Sequence, residues 1–82
     1  MSNVIIYSKD YCPYCKAAKA LLDHKALPFT EIEVSTNTDK LAEMVKLSKR
    51  RTVPQIFIDG NHIGGYDDLQ VYFASGKSAH AA

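Results

Sequence analysis

The sequence predicts an α/β fold: a four-stranded mixed sheet with helices on both faces, in the order β-α-β-α-β-β-α. Three observations carry this. A continuous β-branched and aromatic run, Val4-Ile5-Ile6-Tyr7, is followed by helical spacing that Pro13 opens; the stretch from Phe29 to Val34 alternates as a second strand; and Asp59-Gly60-Asn61 joins two short apolar runs as a hairpin. A strand-helix-strand start crosses over right-handed, which makes strands one and two parallel, whereas the hairpin makes the last two antiparallel.

Val4 to Tyr7 has the pattern of a central strand covered on both faces. Pro13 suits a first helical position, where its missing N–H has no partner to lose, and Ala17, Ala18, Leu21 and Leu22 recur at helical spacing until Pro28 forbids continuation. In the second strand Thr30, Ile32 and Val34 share one face while Glu31 and Glu33 take the wet one. Ser35-Thr36-Asn37-Thr38 offers N-caps for a second helix. Asp39 suits its first turn, Leu41, Met44, Val45 and Ser48 trace its inner face, and Lys46, Lys49, Arg50 and Arg51 complement its carbonyl end. Ile56-Phe57-Ile58 and His62-Ile63 are the hairpin strands, ended by Gly64-Gly65. Asp67 or Asp68 caps a last helix carrying Leu69, Val71, Tyr72 and Phe73, which Gly76 closes before a frayed tail.

At 82 residues the chain makes one domain, 1–82, with an ordered core over about 3–75 and the tail at 77–82. Ten basic against nine acidic residues leave a net charge of +1, far from the excess of a nucleic-acid binder. No apolar run exceeds the four residues of Val4 to Tyr7, and the first residues lack the apolar region of a signal peptide, so no membrane partner is expected. Two cysteines three positions apart do not staple a small secreted scaffold; a reducing cytoplasm fits them better.

Chemistry concentrates at Cys12-Pro13-Tyr14-Cys15. Cys12 falls where strand one has ended and helix one begins, so its sulfur faces the unpaired N–H groups of the first turn, which favours the thiolate. Lys9, Lys16 and Lys19 add to that field, and Cys12 is the expected nucleophile. Cys15, one turn deeper on the same face, is within reach of the first sulfur but lacks its free donors, and is expected to resolve a mixed disulfide. The competing use of a C-x-x-C pair, half a metal site, is weaker: zinc takes about four ligands, and His24, His62 and His80 are scattered without ligand spacing. No metal is expected.

Two further stretches bear on the site. Pro54 precedes the third strand and holds Val53 extended, so that Val53 can offer its backbone to a peptide-like ligand; the plainer alternative is that Pro54 only begins a strand. Gly64-Gly65 permits close backbone approach, the following helix start supplies N–H donors to a carboxylate, and Asp67 or Asp68 can pair an ammonium group, against the plain alternative of a turn followed by ordinary capping.

Together, Cys12-Pro13-Tyr14-Cys15, Thr52-Val53-Pro54 and Gly64-Gly65-Tyr66-Asp67-Asp68 resemble the dithiol glutaredoxins, in particular bacterial glutaredoxins of the third type, over residues 3 to about 75. The resemblance implies a thioredoxin-like fold with Pro54 in the cis form beside the cysteines. It implies glutathione as co-substrate with no tightly bound cofactor, disulfide or glutathionylated proteins as partners, glutathione reductase coupled through the glutathione pool, and a monomer. Carried over by motif position, Val53 pairs with the cysteinyl part and Asp68 meets the γ-glutamyl ammonium. N–H groups near Asp67 and Asp68, in the Gly65-Tyr66 stretch, take the adjoining carboxylate. Lys9, Tyr14 and Arg51 approach the glycyl end, while Thr52 borders the sulfur site beside Pro54. Ala26 and Lys49 stand where relatives often have glycine, and Tyr66 where some have a third cysteine. Two rivals are a thioredoxin-like donor fed by a flavoprotein reductase and an iron-sulfur carrier in which two chains share a cluster.

Overall fold

The computed structural model describes residues 3–74. Its elements are β1 (Val4–Ser8), α1 (Pro13–His24), β2 (Thr30–Glu33), α2 (Thr38–Ser48), β3 (Gln55–Ile58), β4 (Asn61–Gly64) and α3 (Tyr66–Ala74), the order expected from the sequence. The strands lie β2-β1-β3-β4, with β1 parallel to β2 and antiparallel to β3, and β3 antiparallel to β4. The β-branched run at the start thus occupies an interior strand, where both faces exclude water. Val4 and Ile6 pack with Ala18 and Leu22 of α1, Ile56 and Ile58 of β3 and Leu69 of α3. Tyr7, Val34, Met44 and Phe57 form a second cluster under α2. The sheet is therefore the middle of three layers. None of the helices among the described residues is long and apolar enough to cross a membrane.

The two longer helices end on left-handed residues that are not glycine, Ala26 (φ 57°) after α1 and Lys49 (φ 63°) after α2. At α1 the geometry is complete: Leu27 N–H donates to Leu22 O and Ala26 N–H to Asp23 O, the paired bonds of a Schellman motif, while Leu27 packs against the cluster that holds Leu22. α2 begins at Asn37, the N-cap, whose Oδ1 accepts the Lys40 N–H at 3.1 Å.

Three local expectations need correction. The last helix starts at Tyr66, so Asp67 and Asp68 stand inside its first turn, and Asp68 caps by reaching back: its Oδ2 accepts the Gly65 N–H at 3.0 Å, the reciprocal half of a capping box. Asn61 is the first residue of β4, because Asp59 and Gly60, both at positive φ, complete a two-residue turn without it. Of the basic residues assigned to the carbonyl end of α2, only Lys46 lies in its last turn; Lys49 turns the chain left-handed and Arg50 pairs with Asp68. The Gly76 stop and the tail lie outside the described residues.

Candidate active site

Helix α1 begins as the sequence requires of a chain that ends a strand and has Pro at the first helical position. Cys12 is extended (φ −94°, ψ 114°) and is the N-cap, Pro13 follows it, and Cys15 is the third residue of the helix. The cap that serine or aspartate oxygen usually supplies is here a sulfur: Cys15 N–H donates to Cys12 Sγ at 3.2 Å. The Cys12 N–H donates to Lys9 O at 3.2 Å, which fixes the loop from β1 to α1. Across from it the backbone crosses the cis peptide Val53-Pro54, and Cys12 Sγ lies 3.8 Å from Val53 O.

The second sulfur has the opposite environment. Cys15 is fully buried, and both cysteines are free thiols. Burial, and after it the neighbouring Cys12 sulfur, push its ionisation up to about 12, while a backbone group of Lys9 and the charge of Lys19 pull the other way. Three residues on one helix therefore separate a sulfur at a helix terminus from one held protonated in the core.

A cleft of about 170 Å³ opens beside Cys12, lined by Tyr14, Arg50, Thr52, Val53, Pro54, Gln55 and residues 65–68. The amino end of α3 forms one wall, and its first N–H groups have no intrahelical acceptor. Gly64, at φ 120°, has no alternative: a Cβ there would collide with the Asp68 carboxylate. Asp68 also accepts from Arg50 Nη1 at 3.0 Å, and the Gly65 N–H first, then Arg50, hold its carboxyl below the usual range. Tyr14 is largely exposed at the rim, its ring 6.3 Å from that of Tyr66.

A sequence model of the glutaredoxin family matches residues 4–63. The chain belongs to the glutaredoxin family. It is 55% identical over 76 residues to glutaredoxin 3 of Escherichia coli (strain K12), covering 93% of this chain and 92% of that protein. Its structure resembles that of a buckwheat glutaredoxin in complex with glutathione, with a TM-score of 0.83 and 34% identity over 93% of this chain and 72% of the other. It also resembles the solution structure of a glutaredoxin from Brucella melitensis, with a TM-score of 0.78 and 49% identity over 90% of this chain and 80% of that one. The fold is accordingly thioredoxin-like, and the chain is a glutaredoxin thiol-disulfide oxidoreductase.

Of the residues singled out in this glutaredoxin by sequence, Tyr14, Thr52, Val53, Pro54, Gly65, Tyr66, Asp67 and Asp68 come together around the cleft, Cys12 Sγ contacts the Val53 carbonyl of its lining, and Cys15 is buried. Lys9 borders the site through its carbonyl, and its ammonium lies over the Tyr11 ring at 6.0 Å. Arg51 is not brought in; it lines a separate groove with Leu41, Val45 and Lys46. Arg50 and Gln55 take part in the cleft without having been foreseen. Gln55 could have been found as the one polar residue opening an otherwise apolar strand, since a buried amide must have partners.

Proposed function

We propose that this glutaredoxin reduces glutathione mixed disulfides and protein disulfides with glutathione as the electron donor, Cys12 acting as nucleophile and Cys15 as resolver. The observation that supports it most is the Cys12 sulfur seated as N-cap of α1, with an N–H aimed at it, on the edge of a cleft that offers a backbone strand on one side and a helix N-terminus with a carboxylate on the other. Glutathione is a peptide with two carboxylates and one ammonium. Val53 suits its cysteinyl backbone, Asp68 its ammonium, and the N–H groups at Tyr66 and Asp67 the adjoining carboxylate.

In the first step the Cys12 thiolate attacks the glutathione sulfur of a mixed disulfide R–S–S–G. The bond between Cys12 Sγ and the glutathione sulfur forms, the S–S bond of the mixed disulfide breaks, and RS⁻ leaves as a thiolate that takes a proton from water. A second glutathione thiolate then attacks the bound glutathione sulfur, releasing oxidised glutathione and restoring the Cys12 thiolate. With a protein disulfide, Cys12 forms the mixed disulfide and Cys15 displaces the protein thiolate by attacking the Cys12 sulfur, leaving a Cys12–Cys15 disulfide that two glutathiones reduce to the dithiol with release of oxidised glutathione. Part of what holds Cys15 protonated is the Cys12 sulfur itself. Once that sulfur is in a disulfide it carries no charge, so proton release from Cys15 becomes easier when it is needed.

Turnover with glutathione, glutathione reductase and NADPH tests the scheme. Cys12→Ser abolishes reduction of both substrate classes, whereas Cys15→Ser retains deglutathionylation and loses reduction of protein disulfides. Substantial turnover by Cys12→Ser, or equal rates when thioredoxin reductase replaces glutathione, would overturn it. A cytoplasmic setting, where thiols are kept reduced, suits this chemistry.

A further inference from the structure

The buried amide of Gln55 links the cleft to a residue outside it. Gln55 is 1% exposed at the start of β3, and its Nε2 donates to Thr52 O at 3.0 Å and Thr52 Oγ1 at 3.2 Å. Its Oε1 lies 2.7 Å from His62 Nε2. The imidazole, on β4 opposite Phe57, rests on the Phe57 ring with centroids 5.1 Å apart. A carbonyl only accepts, so the Thr52 O obliges Gln55 to turn its NH₂ toward the loop and its oxygen toward His62. His62 must then donate from Nε2. The charges facing the ring are Arg50, which disfavours a second proton, and Asp68, which favours it. Either way Nε2 keeps its hydrogen, because the second proton goes to Nδ1.

From this chain of bonds we infer that His62 is a positioning residue for the glutathione site: by fixing the Gln55 amide it holds the Thr52-Val53 segment in the register that meets the ligand's backbone. The inference rests on the glutathione reading given above. Without the His62 donor, the Gln55 oxygen is a buried acceptor with no partner, and the amide is held from the Thr52 side alone, so it and the Thr52-Val53 segment are less firmly fixed. Thr52 and Val53 face the body of the ligand, so the loss falls on binding common to ground state and transition state, and hence on KM.

His62→Phe keeps a ring on Phe57 and removes the donor, while His62→Gln restores an N–H at comparable reach. The first is expected to raise KM for the glutathione mixed-disulfide substrate, whose glutathione fills the cleft, roughly three- to ten-fold, the effect of one buried neutral hydrogen bond. Its kcat changes by less than about two-fold, and His62→Gln recovers most of the KM. In the ligand-free parent, long-range ¹H–¹⁵N correlation finds the His62 proton on Nε2, and the Thr52 and Val53 amide shifts move in His62→Phe but return in His62→Gln. A neutral His62 protonated only on Nδ1, an unchanged KM in His62→Phe, or a loss that His62→Gln does not recover overturns the inference. A parent that fails to turn over with glutathione sinks the functional reading instead; the tautomer and the amide shifts then still decide whether His62 orders the loop.

Discussion

The left-handed turn that ends α1 yields a substitution whose sign is opposite to the usual one. Ala26 sits at φ 57°, in a Schellman motif whose two bonds and apolar contact are all formed, so the backbone keeps this conformation whatever side chain it carries. A left-handed conformation costs an L-residue with a Cβ about 1–2 kcal/mol, and a glycine costs about 0.5–1 kcal/mol more than alanine in chain entropy on folding. The difference gives Ala26→Gly a net stabilisation of about 0.5–1 kcal/mol, or roughly 3–6 °C in Tm for a domain of this size. Ala20, exposed in the middle of the same helix, is the control, since Ala20→Gly there loses about 1 kcal/mol. Urea and thermal unfolding followed by far-UV circular dichroism measure both, with turnover as a check that the site is undisturbed. If Ala26→Gly is neutral or destabilising while Ala20→Gly behaves as stated, the argument from backbone conformation is wrong.

Other outcomes follow from the same geometry. Iodoacetamide at neutral pH, read by peptide mass spectrometry, labels Cys12 and spares Cys15, of which on the order of one in 10⁵ is thiolate when ionisation is pushed to about 12; comparable labelling of both would contradict the burial argument. Asp68 has its carboxyl lowered in the folded state, so its contribution to stability is present above about pH 4 and is lost as pH falls through the folded value. Asp68→Asn therefore loses stability less steeply in acid, and at neutral pH costs under about 1 kcal/mol because half of each partner in its ion pair is in water. Tyr7, buried against Phe57 and donating to Glu43 at 2.6 Å, has its ionisation raised to about 12, first by burial and then by Glu43. Its stabilisation is complete below about pH 10 and is lost as pH rises from there toward 12; Tyr7→Phe flattens that alkaline slope in denaturation curves and costs about 0.5–1.5 kcal/mol at neutral pH.

What could be read from the sequence was what is local. Val4 to Tyr7, the Pro13 start and the Asp59-Gly60 turn each announce an element within a few residues, and Cys12 and Cys15 are placed by one turn of helix. The missed parts depend on contacts between elements. Arg50, and not Arg51, reaches the cleft because Lys49 turns the chain left-handed and the buried Ser48 hydroxyl accepts the Arg50 N–H while donating to Met44 O, a local geometry that a run of basic residues does not disclose. Gln55 and His62 are seven residues apart and meet only through the register of β3 with β4, which shifts between Ile56 and Phe57. Asp68 was legible as a capping residue, but its direction of capping required knowing that α3 starts two residues before it.

On the proposed scheme, the order of the two sulfurs in the reaction follows from where the helix begins. A sulfur in the N-cap position receives an N–H that would otherwise lack a partner, so placing negative charge there consumes a donor the fold has to satisfy anyway. The same sulfur, three residues later, would displace no such donor and would have to ionise where it is fully buried and its proton is held. Had α1 begun one turn later, Cys15 would stand at the terminus and Cys12 in the preceding loop, and the roles would exchange. Pro13 favours the observed start, because its fixed φ and missing N–H suit the first helical position. The proline thus acts on the chemistry through helix register.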